Sequence, residues 1–430
     1  MTALGSNVKV LVVGAGAMGS GIAQVAAVAG HTVYLYDTRA EAADKGRAAI
    51  AAALDKLAAK GRMSADAAQA AAGRVQPVSE LAAARDAGLA VEAIVEDLAV
   101  KRALFAELEG LLADDAILAS NTSSLSITAL AAPLARPERV AGLHFFNPAP
   151  LMKLVEVVSG LATDHKVADT LHATARAWGK VAVHAKSTPG FIVNRVARPY
   201  YAEALRVLGE GAADVATLDA LLREGCGFPM GPFELMDLIG HDVNFAVTSS
   251  VFDAYFQDKR FTPSLIQQEL VLAGRLGRKS GRGFYDYVEG AERAQPVAEP
   301  AQQGEAAVAV VGDLGVAAGL IARLEAAGIA VQRKPGNSEH RAGWLEIGGA
   351  RLMLSDGRTA TRRAAEEGVP NLVLFDLCLD YAATPRLAVA VAEQCGTGAR
   401  RAVVGTLQAA GLAVSRLDDV AGLLGLRTVA

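Results

Sequence analysis

The segment Val8–Gly19 reads VKVLVVGAGAMG, and it decides the fold of the amino-terminal half of this 430-residue chain. Its β-branched apolar run predicts a buried strand, which ends at a glycine-rich turn before a stretch that favours a helix. Gly14 permits the tight turn, Gly16 lets a pyrophosphate approach the backbone, and Gly19 lets the helix pack closely on the strand. We therefore predict a Rossmann-type α/β domain that binds a dinucleotide through Gly14, Gly16, Met18 and Gly19.

An acidic residue follows the second predicted strand of this domain. The strand covers residues 32–36 and ends on Asp37, which lies 37 − 14 = 23 residues after Gly14. An acid near this spacing hydrogen-bonds the ribose hydroxyls of a bound dinucleotide. Its negative charge repels the 2′-phosphate of NADP, so the sequence predicts NAD as the cofactor.

Two further predicted strands, at residues 89–94 and 116–120, each end in a polar cluster. Glu96 follows the first strand, and Asn121 and Ser123 follow the second. Ligands of open α/β sheets bind outside the carboxyl ends of the strands, so we expect these three side chains at the cofactor. Ordinary helix capping by residues 121–124 is the alternative interpretation.

The clearest chemical pattern is the segment GLHFFNPAP at residues 142–150, followed by a glutamate. His144 can accept a hydroxyl proton near neutral pH, and Glu156 can fix its tautomer and stabilise the imidazolium. A strand before the histidine, a turn at residues 147–150 and a strand at residues 153–158 would bring the two side chains together. On spacing alone, a structural histidine and an unrelated glutamate stay open as the alternative.

The composition limits the classes of function that remain. The formal net charge of −4 shows no basic excess for nucleic acid, and no apolar run approaches the roughly 18 residues of a membrane span. The amino terminus shows no signal-peptide pattern, and the three cysteines are too few for a disulfide framework or a metal cluster. We therefore expect a cytoplasmic protein without a metal site, with neither nucleic acid nor membrane as a partner.

Five motifs, in order along the chain, resemble those of the L-3-hydroxyacyl-CoA dehydrogenases of fatty-acid β-oxidation. They are NTSSL at 121–125, GLHFFNP at 142–148, MKLVEVV at 152–158, TPGFIVNR at 188–195 and PMGPFEL at 229–235. The resemblance implies that His144 is the general base and that Glu156 is its partner. It also implies that Ser123 and Asn194 hydrogen-bond the 3-oxygen of the substrate.

The resemblance further implies which residues hold the cofactor and the coenzyme A moiety. The implied cofactor contacts at matching positions are Asp37, Glu96, Lys101, Asn147 and Lys279. Lys60 matches a contact to coenzyme A, whereas a serine that the family can use nearby is replaced here by Ala53. The resemblance thus implies an acyl-CoA substrate but leaves the detail of coenzyme A binding in doubt.

The remainder of the chain is predicted to contain a helical region and a partial repeat. Thr188 and Pro189 predict a helix start, as N-cap and N1, and the helical pattern continues to about residue 276 with breaks at 225–232 and 261–263. Residues 289–305 read as an exposed linker. The predicted domains are an NAD-binding Rossmann domain at 1–187, a helical dimerisation domain at 188–288, the linker at 289–305 and a degenerate Rossmann-like repeat at 306–430. The resemblance implies a homodimer through the helical domain, with active sites in the cleft between domains.

The carboxyl-terminal region repeats the first domain in a degenerate form. Residues 308–312 echo residues 10–14 at an offset of 312 − 14 = 298, and residues 422–427 echo 190–195 at 422 − 190 = 232. In this copy Gly16, Gly19, Asp37 and Asn194 are replaced by Leu314, Ala317, Pro335 and Leu426. Its only histidine, His340, is far from the position of a second His144, so we expect neither cofactor binding nor catalysis there. A chain that ends at residue 430, where a second helical domain would start, suggests a short or truncated member.

More than one substrate and more than one activity fit the sequence at this point. The first choice is (S)-3-hydroxybutyryl-CoA. Longer enzymes with a duplicated layout occur in phenylacetate catabolism, which makes 3-hydroxyadipyl-CoA a second candidate. Two hypotheses of a different kind are a non-catalytic NADH-binding protein, as in some lens crystallins, and a dehydrogenase of free β-hydroxyacids with a catalytic lysine.

Overall fold

The computed structural model describes residues 2–336 and 342–430, so His340 lies outside the described residues. The chain divides into two compact units, Met1–Val196 and Ala197–Ala430. The division differs from the four segments predicted from the sequence, because the helical region and the repeat belong to one unit.

The first unit is built on an eight-stranded sheet with the order β3-β2-β1-β4-β5-β6-β7-β8. Its strands are β1 (Lys9–Val13), β2 (Val33–Tyr36), β3 (Val75–Val78), β4 (Ala87–Glu92), β5 (Ile117–Ser120), β6 (Val140–Phe145), β7 (Leu154–Ser159) and β8 (Val181–Lys186). Its helices are α1 (Ala17–Val28), α2 (Ala42–Ala59), α3 (Ala65–Gly73), α4 (Leu98–Leu111), α5 (Ile127–Ala131) and α6 (His165–Ala177). Separate apolar cores cover the two faces of the sheet.

The strand directions confirm the Rossmann-type arrangement and bring the predicted base and acid together. Strands β1 to β6 are parallel, whereas β7 runs antiparallel to β6 and parallel to β8. In the β6–β7 pair His144 lies directly opposite Glu156. Opposite residues of an antiparallel pair project from the same face, so their side chains are neighbours.

The three glycines of the first turn have the geometry expected for a dinucleotide loop. Gly14 has φ +104°, a conformation that L side chains rarely adopt. A Cβ on Gly19 would lie 1.7 Å from the carbonyl oxygen of Gly14, so helix α1 needs glycine there to pack on the turn. A Cβ on Gly16 would meet no atom of the described residues within 4 Å, so the space beside this backbone is open.

The predicted helix start at Thr188 and Pro189 is wrong, because α7 begins at Val193 and runs to Gly209. The intervening turn contains Gly190 with φ +71° and Phe191 with φ +48°. These left-handed residues interrupt a right-handed helix, so the cap signal at the proline marks a turn instead.

The second unit contains the remainder of the helical region and a second sheet. Its further helices are α8 (Val215–Ala220), α9 (Pro232–Ile239), α10 (His241–Ala254), α11 (Leu265–Leu272), α12 (Gly319–Ala326), α13 (Ala360–Glu367), α14 (Thr397–Ala409) and α15 (Gly425–Val429). The strands are β9 (Ala307–Val311), β10 (Ala330–Lys334), β11 (Trp344–Ile347), β12 (Ala350–Leu354), β13 (Leu372–Phe375), β14 (Arg386–Val391) and β15 (Ala413–Arg416), in the order β10-β9-β11-β12-β13-β14-β15.

The second sheet repeats the carboxyl-terminal half of the first in close register. Strand β14 starts 386 − 154 = 232 residues after β7, helix α14 starts 397 − 165 = 232 after α6, and α15 starts 425 − 193 = 232 after α7. Among the described residues, the segment equivalent to α2, α3, β3, β4 and α4 is missing, and the short antiparallel strand β11 lies between β9 and β12 instead. Leu314, at the position of Gly16, is buried in the core of the repeat.

The same offset places Asp376 at the position of His144 and Ala388 at that of Glu156. The backbone confirms this register, since the N–H of Asp376 donates to the carbonyl of Ala388. The buried carboxylate of Asp376 accepts hydrogen bonds from the backbone N–H groups of Leu424, Gly425 and Leu426 at 2.6–3.0 Å. The repeat thus uses a carboxylate to hold the start of α15.

The helical region and the repeat share one apolar core in the second unit. Buried residues of the helical region, such as Tyr200 and Leu221, cluster with Ala388 and Leu424 of the repeat. The predicted linker, described throughout, has no helix or strand and is hydrogen-bonded to both parts: the N–H of Val297 donates to Thr217 and that of Glu299 to Val414. Among residues 2–336 and 342–430, no helix is long and apolar enough to cross a membrane.

Candidate active site

His144 and Glu156 form a buried hydrogen-bonded pair. The distance between His144 Nδ1 and Glu156 Oε2 is 2.6 Å, and the two side chains are 6% and 0% exposed. The ring of Phe146 lies 4.5 Å from the imidazole, centroid to centroid, and that of Phe191 lies 5.7 Å away. Because Nδ1 faces the carboxylate, Nε2 is the imidazole nitrogen left for a substrate.

Glu156 also holds the turn that leads into α7. Its Oε1 accepts hydrogen bonds from the backbone N–H groups of Ile192 and Val193, both at 2.9 Å. Burial acts to raise the pKa of Glu156, but the bonds from His144 and from these N–H groups outweigh it and hold the pKa below its usual value. One carboxylate therefore orients the His144 ring and positions the segment that carries Asn194.

Ser123 and Asn194 are brought together although they are 71 residues apart in the chain. The Asn194 side-chain amide donates to the backbone carbonyl of Ser123 at 3.4 Å. Both residues are partly exposed. The contact joins the Asn194 side chain to the backbone of the residue whose hydroxyl is the other candidate group for a substrate oxygen.

Glu96 and Lys101 belong to a charged network at the ends of β4 and β5. Lys101 is buried and forms ion pairs with Glu92 at 2.5 Å and with Glu96 at 3.1 Å. Glu96 accepts hydrogen bonds from the Thr122 hydroxyl at 2.5 Å and from the backbone N–H of Ser123 at 3.0 Å. Burial acts to raise the pKa of Glu96, but the charge of Lys101 and these hydrogen bonds hold it below its usual value. Glu96 thus supports the loop that carries Ser123.

Asp37 lies where the adenosine half of a dinucleotide would bind. Its Oδ2 accepts a hydrogen bond from the N–H of Ala15 at 2.8 Å, which ties the end of β2 to the glycine turn. Arg39 donates to both carboxylate oxygens at 3.0 Å. These contacts overcome the effect of burial and lower the pKa of Asp37 to about 2. The carboxylate is therefore charged at neutral pH.

The two asparagines at the carboxyl ends of the strands have different roles. The Asn121 side-chain carbonyl accepts a hydrogen bond from the N–H of Phe145 at 2.8 Å, which links the end of β5 to the strand that carries His144. Asn147 is exposed in the turn after β6, and the Asn147–Pro148 peptide bond is cis. Both positions agree with a place at the mouth of the site.

Two predicted lysine contacts concern Lys60 and Lys279. Lys60 is exposed at the end of α2, seven residues after Ala53 on that helix. Lys279 lies in the second unit, where its ammonium group is ion-paired with Asp242 at 2.5 Å. Their roles toward coenzyme A and NAD stay predictions.

The residues of the first unit fit the dinucleotide that the sequence predicts. The open space beside Gly16, the amino terminus of α1 and the charged Asp37 provide room, free N–H groups and a ribose acceptor. Gly16, as N-cap of α1, offers no side chain that would occupy the helix amino terminus. A bound pyrophosphate would therefore meet backbone donors only.

Sequence reasoning missed three residues of these networks. Arg39 lies two residues after Asp37, and its basic character was the available signal. Glu92 was read as part of an apolar strand, whereas it is the buried partner of Lys101. Asp376 could have been found by applying the offset of 232 to His144.

Three protein-family models match successive parts of the chain. Residues 9–188 match the NAD binding domain of 3-hydroxyacyl-CoA dehydrogenase, residues 190–287 match its C-terminal domain, and residues 352–420 match the 3-hydroxybutyryl-CoA dehydrogenase reduced Rossmann-fold domain. The 3-hydroxyadipyl-CoA dehydrogenase of Escherichia coli (strain K12) is 46% identical over 98% of this chain and 82% of its own length. The chain belongs to the 3-hydroxyacyl-CoA dehydrogenase family.

Relatives with solved structures and shorter relatives agree with this assignment. A crystal structure of a 3-hydroxybutyryl-CoA dehydrogenase from Escherichia coli K12 has a TM-score of 0.86 at 43% identity, covering 99% of this chain and 83% of that one. The human mitochondrial hydroxyacyl-coenzyme A dehydrogenase is 42% identical over 65% of this chain and 90% of its own length. Family membership confirms the predicted fold class, the NAD cofactor and the activity as an oxidoreductase on 3-hydroxyacyl-CoA.

Proposed function

We propose that the protein oxidises (S)-3-hydroxybutyryl-CoA to acetoacetyl-CoA, and catalyses the reverse reduction, through His144. The observation that supports this proposal is the buried contact of 2.6 Å between His144 Nδ1 and Glu156 Oε2. With its proton on Nδ1, the imidazole accepts the 3-hydroxyl proton at Nε2. The adjacent carboxylate then stabilises the imidazolium.

The remaining residues of the site act on the 3-oxygen of the substrate and on the position of the base. The Ser123 hydroxyl and the Asn194 carboxamide hydrogen-bond this oxygen and steady its developing charge, an effect worth about 3 kcal/mol for one such donor in other enzymes. NAD, when bound, supplies the hydride acceptor. Glu156 keeps the base and the Asn194 segment in register, since it binds both.

The proposal is tested by kcat/KM for acetoacetyl-CoA, a longer 3-oxoacyl-CoA and 3-oxoadipyl-CoA with NADH. We expect acetoacetyl-CoA to be the best substrate. Equal or higher kcat/KM for another acyl group would replace the assignment of substrate but not of reaction. The absence of turnover with all three thioesters, with NADH binding intact, would favour a non-catalytic NADH-binding protein.

A six-carbon dicarboxylic substrate is the second candidate, because the Escherichia coli relative that matches 98% of this chain is named 3-hydroxyadipyl-CoA dehydrogenase. A kcat/KM for 3-oxoadipyl-CoA above that for acetoacetyl-CoA would support this candidate, and the reverse order would count against it.

We infer that the protein forms a homodimer through its helical region. Apolar side chains on α9, α10 and α11 are exposed in the second unit, and they include Leu238, Val243, Leu265 and Leu272. A second copy would remove this apolar surface from water. Light scattering after size-exclusion chromatography should give twice the chain mass, and Leu265→Glu should shift the measured mass toward that of the monomer.

The three free thiols support a cytoplasmic location.

A further inference from the structure

A cavity of about 560 Å³ lies beside the glycine turn of the first unit, beyond Asp37. It is lined by Ala15, Gly16, Ser20, Arg39, Lys45 and Gly46. The glycine turn and the carboxylate define this space as the adenosine side of the cofactor site. Two of its lining side chains are cationic, although the carboxylate beside them favours NAD over NADP.

Arg39 is held in place by the acid that it neutralises. Its Nε donates to Asp37 Oδ1 and its Nη2 to Oδ2, both at 3.0 Å, and its own backbone N–H donates to Oδ1 at 2.9 Å. This pairing uses one edge of the guanidinium. Within residues 2–336 and 342–430, Arg39 Nη1 has no protein hydrogen bond, and the side chain is 70% exposed whereas that of Asp37 is 8% exposed.

The pairing changes the electrostatics at the ribose 2′-position. An isolated carboxylate would repel a 2′-phosphate, but the pair of Asp37 and Arg39 has no net charge. The outer edge of the guanidinium still carries N–H donors in the planar arrangement that suits phosphate. Lys45, also on the wall of the cavity, is exposed and ion-paired with Glu41 at 3.1 Å, so it adds no net charge there and the inference depends on Arg39.

We propose that Arg39 makes this cofactor site accept NADP(H) as well as NAD(H), by binding the 2′-phosphate with its outer edge while its inner edge stays on Asp37. Asp37 keeps its contact to a free ribose when NAD is bound. The site therefore prefers NAD without excluding the phosphorylated cofactor.

The test measures binding and turnover separately, because turnover depends on the dehydrogenase function proposed above. Fluorescence titration of the full chain with NADH and with NADPH gives the two dissociation constants. We expect NADPH to bind within about 100-fold of NADH. Arg39→Ala should weaken NADPH by a further factor of about 10 to 100, the range for charge-assisted bonds to phosphate, and NADH by less than about threefold.

Two more variants separate a phosphate contact from other effects. Arg39→Lys keeps the charge but lacks the planar guanidinium that can bind Asp37 and a phosphate at the same time. Its NADPH affinity should therefore lie between those of wild type and Arg39→Ala. Arg47→Ala removes an exposed charge from α2 outside the cavity and should leave both constants unchanged.

Two results would overturn the inference. One is NADPH binding more than about 1,000-fold weaker than NADH in the wild type. The other is an equal loss of both cofactors in Arg39→Ala, which would make Arg39 a contact of the adenine ring. Cofactor binding that follows the expected pattern without turnover of acetoacetyl-CoA by NADH or NADPH would count against the proposed substrate and leave this inference standing.

Discussion

The carboxylate of Glu156 accepts hydrogen bonds from three donors. Glu156→Gln should therefore reduce both stability and kcat strongly, although glutamine has nearly the same shape as glutamate. His144 Nδ1 approaches one oxygen at 2.6 Å, and the N–H groups of Ile192 and Val193 approach the other at 2.9 Å. A glutamine has one oxygen and one NH₂ group. Its NH₂ group must therefore face either the His144 N–H or the two backbone N–H groups, and that contact brings two donors together. Hydrogen bonds to charged groups contribute about 1.5–3 kcal/mol each, and we expect a loss of about 3–5 kcal/mol of unfolding free energy.

The effect on catalysis depends on whether the oxygen or the NH₂ group of the glutamine faces His144. The two backbone N–H groups hold the glutamine oxygen, so the NH₂ group faces Nδ1 and favours the tautomer with its proton on Nε2. That tautomer cannot accept a substrate proton, and the analogous change in serine proteases costs about 10⁴-fold. We expect kcat for oxidation of (S)-3-hydroxybutyryl-CoA, followed by the gain of NADH absorbance, to fall by at least about 10³-fold, or about 4 kcal/mol.

The controls for this variant distinguish catalysis from folding. NADH affinity should be unchanged, and Glu107→Gln, at an exposed glutamate of α4, should behave like the wild type. Because folding lowers the pKa of Glu156, its charged form stabilises the native state above the ordinary value of 4.5, and this contribution is lost as the pH falls through the folded-state pKa. The stability difference between wild type and variant should therefore shrink in acid. A kcat within tenfold of the wild type would refute the assignment of His144 as a base oriented by Glu156.

Two further changes test other parts of the molecule. Asp376→Asn should lower the free energy of unfolding in urea by about 2–4 kcal/mol, because the Asp376 carboxylate binds several N–H groups. NADH affinity should stay the same. An unchanged midpoint of urea unfolding would contradict the inference that Asp376 holds the start of α15. Gly19→Ala should abolish NADH binding in a fluorescence titration, since its Cβ would lie 1.7 Å from the Gly14 oxygen; wild-type affinity would disprove this packing argument.

The repeat shows how one layout can serve two purposes. At the position of His144 it has Asp376, and at that of Glu156 it has Ala388, so the paired base and acid are replaced by one carboxylate. In both copies a buried carboxylate binds the N–H groups at the start of the helix after the last strand. The anchoring carboxylate thus stands at the position of Glu156 in the first copy and at that of His144 in the second.

Local patterns in the sequence were sufficient for the first strand and the glycine turn, and they made Asp37 and His144 the candidates for the cofactor acid and the base. These depend on spacings within about 25 residues, where strand and turn geometry leave few choices. The error at Thr188 has the same local origin, since a capping threonine and a proline also occur in turns. The cap signal could not reveal the left-handed residues Gly190 and Phe191, whose conformation is stabilised by the distant Glu156.

Only the tertiary structure decided which charged groups pair with one another. Glu92 pairs with Lys101, Asp37 pairs with Arg39, and Glu156 serves both a histidine and a turn 36 residues away. It also decided that the repeat packs on the helical region through a common core. Such partners depend on strand register and burial across the whole sheet, and the energy of a buried charge is set by every group around it. The sequence by itself determined which chemical groups are present and the scaffold they need, and the fold determined which of them meet.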